Sequence, residues 1–149
     1  MTIDRFSLQR QPIVGLEDEV EQLERRAVPL EQVWGSLPER ILYRELLRRR
    51  AVFLFHYMLA GVRGQPGAII VDYYFLDRPL IVEEYGTGIH ERGSLRDIER
   101  ERRIEEIEPQ RRIAVIWDTE IFNEEFLEQW LINNVDAALI GMTQLEESE

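Results

Sequence analysis

The sequence predicts an α+β fold, a mixed four-stranded sheet flanked by helices. Three observations carry this expectation. Four short runs rich in β-branched and aromatic residues are interspersed with charged stretches of helical periodicity. The second and third runs are joined by a tight turn, whereas a helical stretch separates the third from the fourth. The sheet therefore combines an antiparallel hairpin with a parallel crossover. The chain of 149 residues is 44% hydrophobic and 32% charged. That is enough apolar material for one core and too much for a disordered chain.

Residues 1–35 read as an extended arm and a short acidic helix, Gly15 to Arg26, with Leu16, Val20 and Leu23 on one side. This segment is expected to lie outside the core or to contact another chain. The core spans residues 36–135. It opens with a helix start at Ser36-Leu37-Pro38-Glu39, with serine as cap, proline in the first turn and glutamate completing a capping box. This helix runs to Arg50 through Ile41-Leu42-Tyr43 and Leu46-Leu47. Ala51 to Leu59 and Ala68 to Leu76 read as strands separated by a glycine- and proline-rich turn. After Asp77-Arg78-Pro79, a third strand, Leu80 to Tyr85, ends at Gly86. Ser94 to Glu108 reads as a helix with Leu95, Ile98, Ile104 and Ile107 as its apolar side, stopped by Pro109. Ile113 to Trp117 is the fourth strand. Asn123 caps a last helix through Asn133, with Phe126, Leu127, Trp130 and Leu131 inward. Ala137 to Met142 fits no single element, and residues 136–149 form a C-terminal segment ending in an acidic tail.

Composition excludes several chemistries. There is no cysteine, so disulfides, thiol nucleophiles and thiolate metal sites are out. All 18 basic residues are arginine, so Schiff-base enzymes and lysine-bearing phosphate loops are out as well. No apolar run approaches the roughly 20 residues of a membrane span. MTIDRFSLQRQP carries no apolar signal core, so a cytoplasmic or virion setting is expected. The net charge of −11 is uneven, with six arginines against two acids over residues 37–70. An acidic chain binds nucleic acid poorly overall, yet Arg40, Arg44, Arg48, Arg49 and Arg50 form a local patch able to meet phosphate. The alternative is a solvated helix end whose arginines suit the helix dipole.

The acids inside apolar strands are the most informative feature. Asp72 sits in IIVDYYF, and Glu83 and Glu84 sit in LIVEEY. A charge among apolar neighbours is costly unless it is paired or bound to a metal. Alternation places Asp72 with Ile70 and Tyr74, Glu83 with Ile81 and Tyr85, and Glu84 on the opposite face. Asp72 and Glu83 lie five or six residues either side of the Asp77-Arg78-Pro79 turn, so a hairpin brings them close. Two converging carboxylates suit Mg²⁺, which takes oxygen ligands and needs few of them from protein. The competing reading is a salt bridge to an arginine such as Arg78 or Arg92. His56, in an apolar strand, reads as a hydrogen-bonded core residue.

The run from Ile69 to Ile121 and the order of elements resemble the restriction-endonuclease-like superfamily, in its small branch similar to very-short-patch repair endonucleases. The matching pieces are Glu39 in the first helix, Asp72, Glu83, Gly86, His90, the arginine-rich helix with Asp97 and Arg100, and Ile113 to Trp117. The resemblance implies an αβββαβ core and Mg²⁺-dependent (or Mn²⁺-dependent) hydrolysis of a DNA phosphodiester. It makes Asp72 and Glu83 metal ligands, adds the carbonyl of Glu84, and brings Glu39 to the metal through water. It makes His90 an acid or base near the cleavage point; the DNA contacts expected beside it, Arg44, Arg48, Arg49 and Arg50, come from the basic patch. Tyr85 stands where the superfamily usually has lysine. That departure, with the net negative charge, sustains an alternative. In it the chain keeps the nuclease fold without cutting and serves as a structural or interaction subunit, in a phage or DNA-processing assembly. It would associate as a homo-oligomer or with a protein partner through its N-terminal segment.

Overall fold

A computed structural model of the chain describes residues 35–87 and 94–141. Its strands form one mixed four-stranded sheet in chain order, with flanking helices, as the sequence predicts. The arm, the acidic helix expected at 15–26 and the acidic tail lie outside the described residues. The chain divides into two compact units between Asp77 and Arg78.

The first unit holds α1 (Leu37–Arg48), β1 (Phe53–Ala60) and β2 (Ile69–Phe75). The capping box forms as predicted. The Glu39 amide donates to the Ser36 hydroxyl at 3.4 Å, and the Ser36 amide donates to the Glu39 carboxylate at 3.3 Å. Leu42 and Leu46, one turn apart, are fully buried. The first strand starts later than the sequence suggests, because Ala51 still belongs to the end of the helix. Its amide donates to the Leu46 carbonyl at 3.1 Å, and Arg50 before it takes a left-handed φ of 55°. β1 and β2 pair antiparallel, with Phe53 opposite Phe75 and Phe55 opposite Tyr73. Tyr43 of α1 packs edge-on against Phe53 and Phe55, with ring centroids 5.3 and 5.4 Å apart. Such edge-to-face pairs contribute beyond their buried area and fix α1 over these strands. Gly61 ends β1 at φ +80, where a Cβ would come within 2.8 Å of the Ala68 backbone. Only glycine fits that approach.

The second unit holds β3 (Leu80–Tyr85), α2 (Leu95–Ile107), β4 (Arg112–Trp117), the single turn α3 (Asp118–Ile121) and α4 (Glu124–Leu131). β3 and β4 run parallel, with Ile81 opposite Ile113 and Tyr85 opposite Trp117. Ser94 and Asn123 cap α2 and α4.

Two expected helix faces are corrected. The apolar side read for α2 is mostly outward, since Leu95, Ile98 and Ile107 are exposed and only Ile104 is buried. The inward stripe is Asp97, Arg100, Glu101 and Ile104, which also satisfies helical spacing. It turns inward because β3 presents polar groups to it. Arg100 pairs with Glu83, and the Tyr85 hydroxyl donates to the Glu101 carboxylate at 3.0 Å. On α4, Leu127 and Leu131 are buried as predicted, but Phe126 is exposed.

The last helix also does not stop at Asn133. It continues through a π-helical turn, Ile132–Asp136, into helical residues 137–141. A π turn displaces carbonyls from their usual partners, and polar side chains compensate here. The buried Arg78 guanidinium donates to the Val135 carbonyl at 2.8 Å, and the Asn134 amide donates to the Trp130 carbonyl at 2.9 Å.

Candidate metal centre

Three residues of the first unit bring ligand atoms together: Glu39 from the first turn of α1, His56 from the middle of β1 and Asp72 from the middle of β2. One donor atom from each lies within 4.8 Å of the others, and all three residues are half-buried. Register explains two of them. The pairs Phe55–Tyr73 and Tyr57–Val71 bracket His56 and Asp72, so these two sit across from each other on neighbouring strands. The capping box explains the third. It holds Glu39 by Oε1, leaving Oε2 to meet His56 Nε2 at 2.8 Å. The cap thus uses one oxygen of the carboxylate, and the other faces His56. The Tyr73 hydroxyl donates to the Glu39 carbonyl at 2.6 Å, tying the start of α1 to β2.

His56 is locally unusual. Its φ is 50°, in the left-handed region that side-chain-bearing residues seldom enter. Its ring stacks on that of Phe55, its chain neighbour, with centroids 3.8 Å apart and planes 21° from parallel. Strict strand alternation would put these neighbours on opposite faces. The break at His56 is what lets its imidazole meet Glu39. Its carbonyl accepts from the Arg63 guanidinium at 3.1 Å. Such strain persists where the surrounding structure over-determines it, often at functional sites.

Burial pushes the Glu39 carboxyl up. The hydrogen bond with His56, the Ser36 amide, the charge of His56 and the Ser36 hydroxyl together outweigh this and leave it below its ordinary value of 4.5. Glu39 is thereby kept ready to act as an anionic ligand. Two carboxylate oxygens and one imidazole nitrogen form a donor set that divalent ions accept. The 2.8 Å between Nε2 and Oε2 is close to the roughly 3 Å separating neighbouring ligands of an ion with 2.0–2.1 Å bonds. The residues present fit a divalent ion.

The other expected site residues divide by location. Glu83 lies in the second unit with only 3% of its side chain exposed, and its carboxylate is held by Arg100. Its companion here is thus an arginine, Arg100, and Arg92 lies outside the described residues. Glu83 is not a member of the Glu39, His56 and Asp72 group. Glu84 is half-buried beside it, and the Tyr85 hydroxyl is engaged by Glu101. His90 lies outside the described residues. Arg44, Arg48 and Arg49 all approach the Glu45 carboxylate, at 3.4, 2.8 and 4.0 Å. Arg44 and Arg48 still expose 59% and 64% of their side chains, and Arg50 is exposed after the helix.

His56 is the residue that sequence reasoning set aside as core. The signal that would have found it is register. Once β1 and β2 are paired across the glycine-rich turn, His56 falls opposite the acid already singled out. No family model, curated protein or solved structure significantly matches the chain.

Proposed function

We propose that the protein is a divalent-metal-dependent phosphodiester hydrolase, with DNA as its expected substrate and Glu39, His56 and Asp72 as its ion ligands. The observation that supports this reading is the convergence of those three side chains on one small volume. A bound Mg²⁺ or Mn²⁺ would supply positive charge to stabilise a phosphoryl transition state and to acidify a water. Asp72 and Glu39 offer carboxylate oxygens, and His56 offers an imidazole nitrogen. Ser36 and Tyr73 keep Glu39 in place while it does so. The largely exposed side chains of Arg44 and Arg48 support phosphate contact, as the basic patch in the sequence suggests. The setting consistent with this reading is cytoplasmic or virion-associated. No helix among the described residues is long and apolar enough to cross a membrane.

Plasmid cleavage with Mg²⁺ or Mn²⁺ tests the proposal, with Asp72→Asn as the control. Loss of a metal ligand should lower cleavage at least about 100-fold, as large as removing a main catalytic group. Equal cleavage by both proteins, or none by either, overturns it.

A second reading is favoured by a specific observation. Glu83, which the resemblance makes a metal ligand, and Tyr85, which stands at the superfamily's lysine position, are both engaged by α2. In this reading the fold is kept for assembly with DNA-handling or phage proteins, or with further copies of the chain through its N-terminal segment. A stable oligomer by light scattering, with no heat on titration of Mn²⁺, would select it.

A further inference from the structure

We infer that His56 makes this site discriminate between ions, favouring first-row transition ions over Mg²⁺. The inference rests on the metal-binding reading above and specifies the class of ion. Mg²⁺ prefers oxygen ligands and keeps much of its water. Imidazole nitrogen suits zinc, iron, nickel and copper, and gains affinity along the transition series. Asp72 and Glu39 alone would make a carboxylate pair with no such preference for nitrogen-seeking ions.

The structure commits considerable local order to delivering that nitrogen. The backbone of His56 occupies the left-handed region, its ring is held against Phe55, and its carbonyl is held by Arg63. Nε2 is thereby presented to Glu39 Oε2. Glu39 is fixed in turn at its Oε1, amide and carbonyl. Partners that orient a ligand in this way tune both affinity and selectivity. The His56 and Glu39 side chains keep 23% and 16% of their surface exposed, so an ion can arrive from solvent.

The test uses the full chain, titrated with MnCl₂, ZnCl₂ and MgCl₂ by calorimetry, for wild type and His56→Asn. Asparagine enters the left-handed region more readily than most residues, so the strand break is kept while the imidazole is removed. Wild type should bind Zn²⁺ at least about tenfold more tightly than Mg²⁺. His56→Asn should shrink that gap about tenfold, the scale on which a single ligand-shell change acts. Pulsed electron paramagnetic resonance of bound Mn²⁺ should show coupling to a nitrogen in wild type. That readout needs no variant, so it decides the matter even where His56→Asn fails to fold. Ion binding without nitrogen coupling, or with a gap unchanged in a folded His56→Asn, overturns the selectivity inference and leaves the metal-binding reading intact. No binding of any of the three ions to wild type overturns both.

Discussion

The two compact units each carry an acid in the middle of an apolar strand, and each handles it differently. In the first, Asp72 is half-buried and shares a small volume with Glu39 and His56. In the second, Glu83 is almost wholly buried and matched by the guanidinium of Arg100. Depth of burial accounts for the difference. A carboxylate removed from water needs a permanent internal cation, since leaving it unpaired costs several kcal/mol. A half-buried carboxylate keeps part of its hydration and can accept an exchangeable ion. The helix packed on each strand supplies the matching chemistry. α1 contributes a glutamate from its first turn, where an acid also suits the helix dipole. α2 contributes an arginine from its inward stripe.

The sharpest way to break this contrast is Arg100→Ala. It leaves Glu83 buried without its guanidinium and should cost about 3 kcal/mol, read as a lower denaturation midpoint in urea. Adding Glu83→Gln should recover part of that loss, because the stranded charge is removed with its partner. Equal stability of wild type and Arg100→Ala would mean that Glu83 is not held by that pair.

A smaller effect is expected in the first unit from His56→Val. A β-branched residue at φ 50° is strained, and it should destabilise by about 2 kcal/mol more than His56→Asn, which tolerates that backbone. Thermal melts of the two variants check this, and identical midpoints would remove the strand break from the account.

The smallest effect concerns acid. Glu39 binds its proton less readily in the folded chain than its ordinary value of 4.5 implies. It therefore favours folding above pH 4.5, and this contribution disappears as pH falls through the lower folded-state value. Urea midpoints measured from pH 6 down to pH 3 should drop less steeply for Glu39→Gln than for wild type. Parallel curves would show that Glu39 is not held as an anion by Ser36 and His56.

Much of this architecture is legible in the sequence. The serine-to-glutamate cap, the four strands, the asparagine cap at 123 and the leucines of the last helix follow from local chemistry, which needs no knowledge of distant residues. The strand acids are legible as anomalies, and Asp72 is found on that ground alone. The α2 face is misread because both its apolar residues and its Asp97, Arg100, Glu101 and Ile104 stripe have helical periodicity. Choosing between two such faces requires knowing what lies beneath them, here Glu83 and Tyr85. The last helix extends beyond Asn133 because Arg78, more than fifty residues earlier, receives a carbonyl displaced by the π turn.

From its letters alone the chain specifies which segments are helix and strand, where the caps fall, and which acids have no business among apolar neighbours. These depend on periodicity and on groups only a few residues apart. Folding alone decided that Asp72 meets a histidine while Glu83 meets an arginine. Strand register, a left-handed residue in β1 and the rotation of α2 select those companions, and each is set by long-range packing that no local pattern encodes.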